Sequence, residues 1–561
     1  MPGVKLRGMK GKKRAERLLA WLFWAGVFLW FLNPLKLGDV FWHLRAGEWI
    51  LQHRALPQED PFGLSSRDGQ FVLKANWAAQ VLLYLSYKLG GLRAVVFFKA
   101  LVFTGMFLLL ERLLRAQGLQ RPLSLLALLP SLLVLHFYDE ARPQAFSFLG
   151  FVLLLHALQL RRPWLLPPLL LVWANMHGGY VLGVAFLLAY VLREALPGGA
   201  RLLLGGGQAR HKGLLLLGPL AALLSGANPL GWEAFRATWG LFAASVAGRA
   251  GIHEHLGLRE FAAFTGQWQP LWLVLALGGL ALGSFLLGRK GPLLAVLTLG
   301  LLWASLESFR AGAFLALLAP VLLAKNLARL RVPRPAWAAL ALVLALSAWP
   351  VLRQSLLRAP LVPEIVPAKA AEFILRAQAP PNIFHPYEWG GYFIWRLWPR
   401  YKVFISGRAL GPTGDYQHIL QARPGYTLLL DKYDINTVAS WSLLPYKGRV
   451  PPLVYALLKD EDWALVHWDL RSLVFIRAPL AKKALKKGTG WMLLESSLRQ
   501  NALGEPRSPH RWAALAELYI HMGKPSLALE ALRKTLALAP SHPLGLRLLQ
   551  EIKLKKSATS P

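Results

Sequence analysis

The stretch GDVFWHLRAGEWILQHRALPQEDPF, residues 38–62, follows an apolar run that ends at Asn33-Pro34-Leu35. Its apolar residues at 41, 44, 46, 49 and 50 recur with helical spacing. Trp42 and Trp49 suit a helix lying along lipid headgroups. Leu56-Pro57 and Asp60-Pro61 stop it, and residues 77–87 read as a second helix of the same kind. Asp39 opens the first of these helices, where the chain leaves the apolar run. As an N-cap it accepts backbone N–H bonds and suits the positive helix end. As a functional group, a carboxylate in that position is a general base able to take a proton from a hydroxyl or amide that attacks a sugar. His43, one turn on, shares the face of Asp39 and is either an interfacial side chain or a contact for an anionic leaving group.

The surrounding chain has 561 residues, 55% hydrophobic and only 17% charged, against roughly 25% charged in soluble globular proteins. Apolar runs near the ~20 residues a helix needs to cross a bilayer recur along it. The composition predicts an α-helical polytopic membrane protein and excludes a disordered chain, a collagen or a soluble multidomain enzyme. Candidate spans fall at 18–35, 94–111, 122–137, 144–160, 164–176, 178–192, 213–227, 270–287, 291–306, 311–324 and 335–351, about eleven transmembrane helices. They make a transmembrane domain over 18–351, behind a basic tail at 1–17 and interrupted by a long first loop at 36–93. The tail shows no small-x-small cleavage pattern, so the first span is expected to stay uncleaved. With no cysteine, disulfides, thiolate nucleophiles and cysteine-ligated metals are excluded. A net charge of +35 would point to nucleic acid in a soluble chain. Here it predicts loops facing anionic lipid and lipid-linked anions, with no nucleic acid as partner.

Orientation follows from the cations. With a cytoplasmic start, twenty-two Lys and Arg fall in the inner segments and twelve in the much longer outer connections, as the positive-inside rule requires. An odd number of spans places everything after Pro350 on the extracytoplasmic side of the membrane. The outer connections also hold the chemistry: Asp39 and His43, Asp139-Glu140-Ala141-Arg142, Asn175 and His177, Asn228-Pro229, His253-Glu254-His255, and Glu307 with Arg310. Ionisable groups near hydrocarbon face a wet cavity or one another, so their clustering predicts an outward-opening site. Asn175 and His177 also suit a helix terminus at a Gly pair, Asn228-Pro229 a turn, and Arg142 a snorkelling cation. His253, Glu254 and His255 are weak metal candidates, because neighbours at i and i+2 converge only on a strand or loop.

From residue 360 onward the pattern changes to short strands and helices, predicting an α/β domain over 363–480. Helices are expected at 368–376 and 426–433, strands at 382–385, 402–406 and 436–440, and a hairpin from 463–467 and 473–476 around Asp469-Leu470-Arg471. Tyr387-Glu388-Trp389-Gly390-Gly391-Tyr392 and Ser406-Gly407-Arg408 are its loop clusters. Residues 485–561 read as a short helical module in which Trp512, Leu515, Ala516, Tyr519, Ala528, Leu532 and Pro540 match the tetratricopeptide ladder. One such repeat cannot bury its own face, so helices at 488–501 and 543–555 are expected to cap it.

A carboxylate in the first outer loop, an interfacial helix and many further spans resemble the GT-C class of membrane glycosyltransferases. More narrowly, GDVFWHLRAGEWILQHRALPQEDPF, ARPQAFSF, WANMHGGYVLG, GANPLGWEAF and YEWGGYFIWRLWPRYKVFISGR are similar to segments of a largely uncharacterised bacterial family of GT-C-like proteins, often with C-terminal tetratricopeptide repeats. The resemblance implies a polyisoprenyl-phosphate or diphosphate sugar donor and Asp39 as base. It implies that Asp139 and Glu140 match a second acidic loop, which in some relatives helps bind a divalent metal or the acceptor, and that Arg142 and Arg310 hold the leaving phosphate. His43 and His177 complete the expected binding set. A single acidic residue at Asp39 and the lack of a WWDYG-like signature depart from oligosaccharyltransferases, so no cofactor is firmly expected; a divalent metal is the one candidate. The expected function is an inverting glycosyltransferase acting on a glycan, lipid or protein acceptor. The alternatives are a non-catalytic envelope scaffold that binds a partner or itself through its α/β and repeat domains, and a transporter, for which no inverted repeat is visible.

Overall fold

The computed structural model describes residues 17–18, 20–36, 38–64, 73–203, 211–246, 256–287, 292–329, 366–408, 412–443, 449–482, 485–486 and 488–559. The chain is mostly helical with one small mixed sheet. It divides into two compact units, one of Met1–Lys36, His43–Leu56 and Phe71–Val362, the other of Leu37–Trp42, Pro57–Gln70 and Pro363–Pro561.

In the first unit apolar helices pack around interlocking phenylalanines. Phe151 meets Phe186 and Phe314 edge-on at 5.1 and 5.3 Å, and Phe31 stacks on Phe103 at 4.8 Å, geometries that add to area burial. The expected helices at 77–87 and 94–111 are one element, Trp77–Ala116, kinked where Gly90 and Gly91 leave helical geometry. Gly91 has φ +65° and ψ −153°, a conformation open to glycine and hardly to other residues. The helix Asp39–His53 lies so close to this element that a Cβ on Gly47 would strike the carbonyl of Gln80.

The expectation of about eleven transmembrane helices is corrected here. Among the described residues, Trp77–Ala116 and Phe309–Leu327 are long and apolar enough to cross a bilayer, and Ala20–Phe31, Arg121–Leu135, Gln144–Gln159, Lys212–Leu224, Gln269–Phe285 and Pro292–Glu307 are apolar but shorter. Polar, Gly and Pro punctuation ends these helices early: the 15 residues of Arg121–Leu135 rise roughly 22 Å, against roughly 30 Å of hydrocarbon. The expected span at 335–351 and the tail at 1–16 lie outside the described residues. Large apolar side chains on the helices nonetheless face outward, among them Trp21, Leu89, Phe97, Leu192, Leu216, Trp272 and Val296, each half or more exposed.

The second unit carries strands β1 (Ile383–Phe384), β2 (Thr437–Trp441), β3 (Trp463–Trp468) and β4 (Ser472–Arg477) in the order β1-β2-β4-β3. β1 runs parallel to β2, while β2–β4 and β3–β4 are antiparallel, with a bulge between Leu465 and His467. The hairpin of β3 and β4 follows from alternating apolar residues on either side of Asp469, whose Oδ1 accepts the amides of Arg471 and Ser472 at 2.8 and 3.0 Å. The strand expected at 402–406 is reduced to Val403, which bridges Ile383 on one side and Gly63 on the other. The helices Gly390–Leu397, Thr413–Leu420 and Pro452–Lys459 complete the fold around the sheet. Four more, Thr489–Gly504, Pro509–His521, Pro525–Leu538 and Pro543–Thr559, share its hydrophobic core, which runs from Phe384 and Val438 through Leu494 and Trp512 to Ile552.

Two buried polar groups in this unit make stability conditional. Arg408 and Asp60, each with a side chain 1% exposed, form an ion pair, and Arg408 Nε donates to Ser406 Oγ at 3.0 Å. Arg408→Met leaves the Asp60 charge buried and is expected to destabilise by about 3 kcal/mol, with Asp60→Leu recovering most of the loss in the double variant; unfolding midpoints of the full chain check this. His385 is fully buried, its Nδ1 2.9 Å from the carbonyl of Pro386, and burial pulls its pKa down to about 4. The unfolded chain therefore takes up this proton first as pH falls, and stability drops from about pH 6.5 downward, by about 2 kcal/mol at pH 5. Denaturant titrations at pH 7 and 5 should show His385→Asn flattening that dependence by the same amount.

Candidate functional site

Asp39 is the first residue of its helix and half-buried, within the second unit. Its carboxylate rests on the backbone at Gly407: a Cβ there would stand 2.5 Å from Oδ1 and 2.7 Å from Oδ2. The turn before it is equally tight. A Cβ on Gly38 would come within 2.9 Å of the Glu388 carbonyl, and one on Gly391 within 2.5 Å of the Gly38 carbonyl. Gly407 thus seats the carboxylate, Gly38 and Gly391 keep the turn before it tight, and the Arg408–Asp60 pair anchors the loop that carries Gly407. His43 belongs to the first unit and is buried, 4% exposed, not an open interfacial side chain.

In the first unit several helix connections are tied together by side chains. Tyr138 Oη donates to the carbonyl of Phe309 at 2.6 Å and stacks on its ring at 4.5 Å, joining the 136–143 and 308–312 corners. Asn175 donates to the carbonyl of Ala227 at 2.9 Å and accepts from Trp77 Nε1 at 2.9 Å, so it braces a helix end. Asn228 forms the expected turn, its side chain bonding Ser225, Leu230 and Gly231 backbone.

Asp139 is almost wholly buried, and its carboxylate is already answered. Asn33 Nδ2 donates to it, Lys36 Nζ lies 3.3 Å from Oδ1 and His136 Nδ1 3.4 Å from Oδ2. Lys99, buried in the apolar helix, donates to Asn33 Oδ1 at 2.6 Å and to its carbonyl at 3.0 Å. Burial alone would push the Asp139 carboxyl up; the Lys99 ammonium, His136 and Lys36 outweigh it and hold the group well below the usual carboxylate range. Burial does raise its neighbour Glu140, against the pull of Lys99. A carboxylate ringed by ammonium and amide donors does not fit a divalent cation. Among the described residues no group of three or more His, Asp or Glu side chains is placed to hold a metal. His253, Glu254 and His255 lie outside the described residues. The Arg142 amide donates to the carbonyl of Glu140 at 2.9 Å, so Arg142 shares this corner.

His177 is held by groups that sequence spacing did not connect. Its Nδ1 lies 2.7 Å from Ser147 Oγ and 3.1 Å from the Gly179 amide, and Trp173 Nε1 donates to Ser147 Oγ at 2.9 Å. The Trp173 indole fits because Gly150 and Gly183 leave room: a Cβ on Gly150 would stand 2.5 Å from it, and one on Gly183 would also strike it. Burial, and after it the Arg310 guanidinium, pull the His177 pKa down to about 3. The structure therefore brings His177 into the field of Arg310, and Asp139 together with Glu140. It adds Asn33, Lys36, Lys99, His136, Ser147 and Trp173, of which only Lys99, a lone cation inside VVFFKALVF, carries a signal that sequence could have supplied.

No family model matches the chain. No curated protein matches it either. Among solved structures it is similar to the crystal structure of the Archaeoglobus fulgidus oligosaccharyltransferase in complex with Zn and sulfate, with a TM-score of 0.45 and 11% identity, covering 92% of this chain and 85% of that one.

Proposed function

We propose that the chain is a membrane-embedded, inverting glycosyltransferase of the GT-C type, using a polyisoprenyl-phosphate-linked sugar on the extracytoplasmic face of a bacterial cell membrane. The observation that carries the reading is the seat of Asp39: a half-buried carboxylate at a helix start, against a backbone position that only glycine leaves open. Support for membrane embedding comes from the exposed Trp21, Leu89, Phe97, Leu192, Leu216 and Trp272 on the helices of the first unit, an apolar surface that water does not favour.

In this mechanism Asp39 takes the proton of an acceptor hydroxyl or amide as the acceptor atom attacks the anomeric carbon. The bond to the carrier phosphate breaks with its electron pair on the phosphate oxygen, and one displacement inverts the centre. Arg142, Arg310 and His177, all in the first unit, are the groups proposed to hold a carrier phosphate. The helices from Thr489 to Thr559 act as a module for a protein partner or a second copy. A scaffold reading competes on one observation: the same contact with Gly407 would serve Asp39 as a structural prop.

Asp39→Asn separates the two. A general base contributes about 10²–10⁴-fold, so sugar transfer from a lipid-phosphate donor should fall at least a hundredfold with expression and unfolding midpoint unchanged. A wild-type glycan profile in that variant would favour the scaffold. Gly407→Ala, whose methyl would displace the carboxylate, should lower kcat about tenfold or more while leaving KM for the donor nearly constant.

A further inference from the structure

The hydrogen bonds around His177 decide its tautomer. The Gly179 N–H points at Nδ1 across 3.1 Å, so Nδ1 carries a lone pair and no proton. Ser147 Oγ already accepts the Trp173 indole N–H at 2.9 Å, and its own hydroxyl proton then goes to Nδ1 at 2.7 Å. With Nδ1 an acceptor twice over, the ring proton sits on Nε2. Ser147 cannot shift: it is fully buried, and a Cβ on Gly179 would stand 2.5 Å from its Oγ. Trp173, 2% exposed, is held in turn in the slot left by Gly150 and Gly183. His177 itself is half-buried, with the Arg310 guanidinium acting on it.

We infer that Ser147, braced by Trp173, is a positioning residue that locks His177 as a neutral Nε2–H donor, so that the imidazole gives a phosphate oxygen one hydrogen bond and takes no part in proton transfer. The ligand chemistry is a phosphate monoester or its diester analogue. This rests on the proposed function for the origin of the phosphate, but the tautomer and the binding are independent of Asp39. The arrangement also gives the motif WANMHGGYVLG a physical content: Trp173 and Gly179 fix Ser147, Gly183 admits Trp173, and His177 is the group they present.

The test uses the full chain in phosphatidylcholine nanodiscs. Two-bond ¹H–¹⁵N correlation spectra of ¹⁵N-histidine protein, with His177 assigned by its loss in His177→Gln, should show an Nε2–H ring from pH 8 to pH 5, and Ser147→Ala should release it to mixed tautomers. Binding of inorganic phosphate and of farnesyl phosphate should weaken about tenfold or more in His177→Ala and Ser147→Ala. His177→Gln, whose amide N–H stands near the Nε2 position, should stay within about threefold of wild type, which separates a lost donor from a misfolded chain. Tighter binding of farnesyl phosphate would mark a lipid carrier and tighter inorganic phosphate a free anion; either supports the site. An Nδ1–H or charged ring in the wild type, or unchanged affinity in His177→Ala, overturns it. If Asp39→Asn leaves sugar transfer intact while His177→Ala still loses phosphate, the transfer reading falls and this site stands.

Discussion

A lysine in the middle of an apolar helix has to be answered, and the answer to Lys99 organises one end of the first unit. An unpaired buried ammonium is strongly disfavoured, and Lys99 meets Asn33 twice, through the carbonyl and the side chain. Asn33 then passes the polarity on to Asp139, which also faces Lys36 and His136. One chain of contacts therefore ties the end of the first apolar helix, the middle of the long kinked helix and the 136–143 corner. The carboxylate at its centre is spent on structure. That is why an acidic pair which looks like a metal or acceptor site in sequence is, for Asp139 at least, an internal counter-ion.

Glycine plays a comparable role wherever a large group must lie flat on backbone. Gly150 and Gly183 make a slot for Trp173, Gly47 lets its helix approach Gln80, Gly38 and Gly391 close the turn before Asp39, and Gly407 seats its carboxylate. At none of these positions is φ in the left-handed region; the requirement is space. Packed interiors tolerate little added volume, so such glycines register a contact made far away in the sequence.

That distance explains what could be read in advance. The hairpin of β3 and β4 was legible because alternation, a turn-forming Asp469 and the return strand lie within fifteen residues, and the interfacial helix at 39–53 because its period is local. The helix Gly390–Leu397 was not, since Gly390-Gly391 reads as a breaker until the carbonyls of Ile405 and Gly38 are seen to demand exactly that lack of side chain. Val403 read as part of a strand, yet its partners are single residues, Gly63 and Ile383, so pairing stops after one bridge. Hydropathy located the apolar helices but overcounted those long enough to span, because it does not register where the backbone actually leaves the helix. Ser147 and Trp173 were invisible as site residues: a serine and a tryptophan in apolar helices carry no message until the end of the tryptophan's own helix is seen to bring His177 to Ser147, 30 residues away in sequence.

The polar groups thus separate by what holds them, and the separation bears on chemistry. A carboxylate clasped by ammonium groups keeps its charge and is a poor acceptor for a substrate proton, because accepting one would strand its cations; this describes Asp139. A histidine whose Nδ1 already receives two donors has no basic nitrogen to offer and can only give a hydrogen bond. Neither group suits proton abstraction, and of the two only the histidine, as a hydrogen-bond donor, suits a phosphate whose charge grows as its bond to sugar breaks in the proposed reaction. Stabilising that growing charge calls for donors that keep their protons throughout, since a donor that lost its proton to the phosphate would forfeit the attraction it was there to supply. A tautomer-locked imidazole meets that condition.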